Sequence, residues 1–175
     1  WHADLIIMGA HGVSGPQDHV VGTNTVRVIA EAPCPVISVQ THAKKLGFSS
    51  ILVPIDDTPN SREKVPYVIT IAEAYGAHVH IIAFEPRNAK EEYLSKFRIK
   101  IEHTEDFLAQ HNISYDTFYS QEKDVAAATL KYASEKDIDI ILIMTEQEFS
   151  LTGTSLGAFA NAIVNRSKIP VMSVA

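Results

Sequence analysis

Glycines at positions 9, 12 and 22 follow the apolar run DLIIM (4–8), with Thr23 directly after the last of them and Thr25 two residues further on. The spacing is Gly, two residues, Gly, nine residues, Gly, Thr. A loop that leaves a buried strand and enters a helix presents unpaired backbone N–H groups and the positive end of the helix dipole. Glycines let that backbone curl and approach an anion without Cβ clashes. Phosphate is the usual occupant of such a cradle. The hydroxyls of Thr23 and Thr25 can add donors. The pattern is not a Walker loop, since G-K-[ST] is missing, and the spacing of its glycines does not match the dinucleotide fingerprint.

Other side chains carry weaker signals. Asp56 and Asp57 open the loop DDTPNS (56–61), where Asp56 reads as a ligand or a turn residue and Asp57 as a possible cap. His78 and His80 share one face of a strand, but metal binding needs a third ligand that the sequence does not place, so no metal residue is assigned. His11 and His19 flank the glycine loop and read as solvated. Glu146 and Glu148 form a carboxylate pair with no His, Ser or Lys partner readable beside them, so they read as surface charge and no catalytic residue is named. Cys34, the single cysteine, sits between prolines and reads as a small apolar filler. Tyr67, Tyr75, Phe97 and Phe107 read as core or helix-packing residues.

The elements that must position these groups repeat. GTNTVRVIAEAPCPVISV (22–39) and GAFANAIVNRSKIPVMSV (157–174) both run from a Gly to P-V-x-S-V, at an offset of 135 residues. Upstream, DLIIM (4–8) matches IILIM (140–144). Each copy reads as buried strand, loop, amphipathic helix and short buried strand. Only the second copy is preceded by a further run of elements. SILVPI (50–55) is continuously apolar, as a strand covered on both faces should be. SREKVPYVITIAEAYG (61–76) is helical, with Val65, Val68, Ile69 and Ala72 on one stripe, Pro66 near its start and Gly76 at its C-cap. A strand at 77–84 follows, then a long helix at 89–112 with Leu94, Phe97, Ile101 and Leu108 aligned. A strand at 113–120, a helix at 124–137 capped by Asp124, a strand at 138–144, a helix at 155–167 and a strand at 170–174 complete the pattern.

Strands alternating with helices imply right-handed crossovers and a doubly wound, five-stranded parallel sheet with helices on both faces. In such sheets ligands sit beyond the carboxyl ends of the strands. The division expected is residues 1–41 as the closing part of a first domain, 42–48 as linker, and 49–175 as a complete second domain. The start at Trp1, close before a strand, reads as a cut into a longer protein.

Composition narrows the partners. The net charge of −6 and the lack of a dense basic patch argue against nucleic acid and anionic membranes. No apolar run approaches the roughly 20 residues of a membrane-spanning helix. One cysteine permits no intrachain disulfide, which suits a reducing compartment, and the expected location is cytoplasmic.

The glycine loop after a fourth strand, the Asp ending ILVPID and the closing PV-x-S-V strand together resemble the universal stress protein family over nearly the whole chain. The resemblance implies an adenine nucleotide α-hydrolase-like fold. In nucleotide-binding members it implies ATP with this loop on the phosphates and the strand-one Asp near the adenine. Gly9, Gly12, Gly22, Thr23, Thr25 and Asp56 are the positions that carry this over. The second copy departs from the pattern. Aligned on IILIM, it has Thr145 at the place of Gly9, one residue fewer before Gly157, and Ala158 for Thr23. Carboxylates at 146 and 148 repel a triphosphate.

The expectation is therefore a non-catalytic stress-response domain pair. ATP belongs to the first repeat of the intact parent, and the second repeat holds a degenerate loop. The alternative is a nucleotide-free dimerisation or scaffolding module. An ATP-hydrolysing enzyme is disfavoured, because the glycine- and serine-rich loop such enzymes carry after strand one is absent. Members also pair through edges that include the last strand. Because DLIIM and PVISV need cover, either tandem pairing or a homodimer is expected.

Overall fold

In the computed structural model, the described residues are 2–10, 21–40, 47–145, 147–150 and 153–175. The elements in order are β1 (Ile6–Gly9), α1 (Thr23–Glu31), β2 (Val36–Val39), β3 (Ser50–Ile55), a 3₁₀ turn (Pro59–Arg62), α2 (Val65–Tyr75), β4 (His78–Phe84), α3 (Glu91–Gln110), β5 (Tyr115–Ser120), α4 (Val125–Glu135), β6 (Ile140–Met144), β7 (Gln147–Ser150), β8 (Gly153–Leu156), α5 (Ala158–Arg166) and β9 (Val171–Val174). A seven-stranded sheet runs β1-β2-β9-β6-β3-β4-β5, and β7 and β8 form a separate hairpin.

Five of those strands, β9-β6-β3-β4-β5, are mutually parallel and form the doubly wound sheet that the alternating pattern implies. Their side chains divide by parity. Ile51, Val53 and Ile55 of β3 join Val79 and Ile81 of β4 beneath Val68 of α2 and Phe97 and Ile101 of α3. Leu52, Ile82 and Ile141 face the other way, onto Ala126 of α4 and Ile163 and Val164 of α5. Covering both faces explains why these strands read as unbroken apolar runs.

Local signals place the helix ends. Gly76 takes φ 62° just after α2, and its N–H donates to the carbonyl of Ala72. This left-handed position is one that glycine occupies without a Cβ penalty. The Asp124 carboxylate accepts from the N–H of Ala127 at the start of α4. Two expectations change. Tyr67 and Tyr75 are not core residues, being 37% and 53% exposed, and Tyr75 instead packs edge-on against Phe48 with ring centroids 5.3 Å apart. The stretch read as a loop before α5 carries the β7–β8 hairpin, paired from Gln147–Leu156 to Ser150–Gly153.

The segment before residue 41 adds its two strands to the same sheet. β1 pairs parallel to β2, and β2 pairs antiparallel to β9, with Val36 opposite Ser173, Ile37 opposite Met172 and Ser38 opposite Val171. Ile29, Ala30 and Val36 join the apolar cluster that contains Ile163, Val164 and Val171. The cover these strands need is thus supplied largely within the chain. Leu5 and Ile7, at the β1 edge, stay 40% and 65% exposed.

One buried carboxylate ties the start of the second strand set to its middle. Asp139, 6% exposed and just before β6, accepts from the backbone N–H of Ser49 at 2.8 Å and of Ser50 at 3.0 Å. Asp139→Ala leaves two donors without this acceptor, and a loss of about 1–3 kcal/mol is expected. A urea unfolding series of the variant against the parent chain measures it.

Candidate functional site

The two strand–loop–helix units can be compared bond by bond. Ile6 N–H donates to the carbonyl of Pro35, and Ile141 N–H to that of Pro170. Ala10 N–H reaches Val39 O at 2.8 Å, and Thr145 N–H reaches Val174 O at 2.7 Å. Gly22 N–H closes on Ala10 O at 3.0 Å, and Gly157 N–H on Thr145 O at 3.1 Å. Every pair stands 135 residues apart. This corrects the sequence alignment of the loops: Met144 stands where Gly9 stands, Thr145 where Ala10 stands, and no residue is missing. The apolar runs DLIIM and IILIM had suggested a register one residue off. The hydrogen-bond ladder against the closing strand overrules them.

The first-repeat residues lie as follows. Gly9 ends β1, and Gly22 precedes α1 with φ −58° and ψ 140°, torsions open to any residue. Thr23 opens the helix and is exposed. Thr25 is 3% exposed and its hydroxyl donates to the carbonyl of Gly9 at 3.1 Å, so here it braces the loop base. Gly12, His11 and His19 lie outside the described residues. The structure therefore brings Gly9, Gly22, Thr23 and Thr25 to one strand–helix junction. Asp56 belongs to the other repeat.

In the second repeat the crevice beyond β3 and β6 is narrow and filled by its own polar groups. Asp56 Oδ1 accepts from the Thr58 N–H at 3.1 Å and from the Thr58 hydroxyl at 2.6 Å. Its backbone N–H donates to Ser61 Oγ at 2.9 Å. Lys100, on α3, donates to the carbonyls of Asp56 at 3.2 Å and Thr58 at 2.6 Å. Desolvation lowers the Lys100 pKa from its ordinary value, against the opposing pull of Asp56 and Asp57. Lys64 is 2% exposed and its ammonium donates to the carbonyl of Ser61. Sequence reasoning passed over Lys64, although its spacing to Val68 and Ala72 sets it on the buried stripe. What remains is a cavity of about 20 Å³ bounded by Asp56, Lys64, Phe84, Val125, Met144 and Phe159. That is room for about one water, whereas ligand pockets occupy roughly 300–1,000 Å³. Met144, at the place of Gly9, and Phe159, in the first turn of α5, both wall this cavity. The residues present do not fit an adenine nucleotide here. Glu146 and the side chain of Glu148 lie outside the described residues.

A different group of ligating side chains meets at the other end of the sheet. His80 of β4 stands opposite Asp116 of β5 in the parallel ladder. His78 Nε2 lies 3.0 Å from Asp116 Oδ2, and the two imidazoles approach with centroids 4.8 Å apart. Asp116 is a third side chain able to ligate, one that the sequence could not place because only strand register sets it beside the histidines. Burial, then the neighbouring His78, lowers the His80 pKa below its ordinary value, with Asp116 opposing and Lys136 reinforcing.

The doubly wound parallel sheet with helices on both faces is the adenine nucleotide α-hydrolase-like class of fold, shared with solved universal stress proteins of similar shape. The family model of universal stress proteins matches residues 1–40 and 47–175, and the chain belongs to that family. It is similar to a universal stress protein from Archaeoglobus fulgidus, with a TM-score of 0.77 at 18% identity over 98% of this chain and 62% of that one. A universal stress protein solved in complex with cAMP gives a TM-score of 0.59 at 18% identity, over 74% of this chain and 98% of that one. By sequence, the Na⁺/H⁺ antiporter NhaS5 of Synechocystis is 26% identical over 165 residues, 93% of this chain and 23% of the antiporter. The chain thus spans less than two thirds of the length of these longer relatives. Among the described residues, no helix is long and apolar enough to cross a membrane.

The closure of the loop after β3 leans on Lys100. Lys100→Met removes the donor to two carbonyls at a half-exposed position, and a loss of about 1 kcal/mol is expected once solvent screening is counted. A shifted urea midpoint with an unchanged slope registers it.

Proposed function

We propose that this chain is a non-catalytic stress-response module. In this reading the second repeat serves as a structural partner, and capacity for an adenine nucleotide belongs to the first-repeat loop at Gly9, Gly12, Gly22 and Thr23. The observation that carries it is the contrast between equivalent positions, with Gly9 in one repeat and the cavity-walling Met144 in the other. The relative solved with cAMP supports an adenine nucleotide as the ligand class of the fold. The loop after β3 supports the absence of catalysis, since it is occupied by its own Asp56–Thr58 turn and not by a glycine- and serine-rich phosphate loop.

A second reading, a nucleotide-free pairing module, is favoured by the antiparallel junction of the two closing strands. A homodimer through the exposed β1 edge at Ile7 extends that reading. Nucleotide carried through purification of the unmodified protein favours the first reading over the second.

Isothermal titration of MgATP and of cAMP into residues 1–175 tests the closed crevice. No micromolar binding is expected at the crevice beyond β3, so any nucleotide held by the first-repeat loop is expected to bind equally well to Asp56→Ala. Micromolar binding that Asp56→Ala abolishes, or steady ATP turnover lost in the same variant, overturns the proposal.

A further inference from the structure

We propose that His78, His80 and Asp116 form a binding site for a divalent transition metal of the zinc class. The three side chains offer ligand atoms that all lie within 4.8 Å of one another. A tetrahedral zinc site with bonds of about 2.1 Å sets its ligand atoms roughly 3.4 Å apart. One pair, His78 Nε2 and Asp116 Oδ2, is already at 3.0 Å. Side-chain rotations of a few tenths of an ångström to about an ångström bring the set onto one ion. Two imidazoles and a carboxylate are a donor set that suits zinc and its neighbours, with further coordination positions open to water or substrate.

The surroundings have the character of a ligand-orienting shell. His78 Nδ1 lies 2.9 Å from the Ser114 hydroxyl, and His80 Nδ1 lies 3.3 Å from the Tyr132 hydroxyl. Each imidazole is thus held through Nδ1, and in His78 the other nitrogen, Nε2, faces Asp116; metal-bound histidines generally have their second nitrogen held in this way. The Tyr132 ring also packs on His80 at 5.9 Å and on Phe118 at 5.6 Å, which fixes the second histidine's orientation. Backbone register makes the arrangement stiff, since both histidines are on β4 and Asp116 is paired to it on β5. Asp116 and Tyr132 also border a groove of about 1070 Å³ between β5 and α4, which gives an ion a path in from solvent. Lys131 and Lys136 border the same groove and oppose a cation, while Glu135 and Asp116 offset them.

This site lies at the amino ends of the strands, away from the crevice discussed above, and does not depend on nucleotide. The test uses tag-free protein stripped with a chelator, with Zn²⁺ as the titrant and Co²⁺ as a coloured substitute. One equivalent of Zn²⁺ is expected at micromolar affinity or better, with a visible Co²⁺ spectrum that Zn²⁺ displaces. Asp116 has a side chain 73% exposed, so Asp116→Asn preserves the fold and is expected to weaken binding on the order of 100-fold. His80→Gln should do the same, and Tyr132→Phe should cost about tenfold. Unchanged affinity in the His78→Gln/Asp116→Asn double variant places the ion elsewhere and overturns the site. So does binding no tighter than millimolar in the parent chain. Should His80→Gln fail to fold, Asp116→Asn decides alone.

Discussion

The antiparallel pairing of β2 with β9 is the contact on which the rest of the molecule is arranged. Its register, Val36 to Ser173 and Ser38 to Val171, sets two closing strands side by side and makes one seven-stranded sheet of two unequal parts. Without it, Val36 and Ile37 would carry their apolar faces into water, at about 25 cal/mol per Å². With it, Ile37 joins the cluster under α2 and α3, and Val36 joins the one under α5. Of the serines between these apolar residues, Ser38 donates its Oγ hydroxyl to Val171 O across the junction.

That junction also makes the two strand–loop–helix units directly comparable. Both anchor their loop by the same bonds, from Ala10 to Val39 and from Thr145 to Val174. The difference between the repeats is therefore one of side chains on a shared backbone frame at the loop base. Gly9 brings no side chain to that junction. Met144 brings a thioether that, with Phe84, Val125 and Phe159, reduces the equivalent space to about 20 Å³. Lys64 and Asp56 then spend their polar groups inside the same loop, on Ser61 and Thr58. A buried ammonium and a carboxylate are tolerated there because each has backbone or hydroxyl partners.

The two ends of the sheet are consequently unlike in chemistry. The carboxyl ends of β3 and β6 face a narrow, internally bonded crevice of about 20 Å³. The amino ends of β4 and β5 present two imidazoles and a carboxylate beside a wide groove. Parallel register produces the second arrangement directly, because His80 and Asp116 occupy partnered positions and alternate residues share a face.

From sequence alone, the order of elements, the five-stranded parallel sheet, Gly76 as a C-cap, Asp124 as an N-cap and the two related tails were all legible. These depend on local periodicity, capping chemistry and self-similarity, which a linear chain displays. The β7–β8 hairpin was missed, since its stretch was read as a loop. The true register of the repeat was misread because IILIM imitates DLIIM one residue out of step, and only cross-strand hydrogen bonds resolve that. Tyr67 and Tyr75 lie outside the core because α2 turns its Val65, Val68, Ile69 and Ala72 stripe to the sheet, which leaves Tyr67 half-exposed and Tyr75 on Phe48. Asp56 was visible, but its carboxylate's use on Thr58, the burial of Lys64 and the meeting of Asp116 with His78 and His80 were decided by packing and strand register. Residues 36 positions or more apart in the chain come into contact only when the sheet is assembled, and no local pattern encodes that choice.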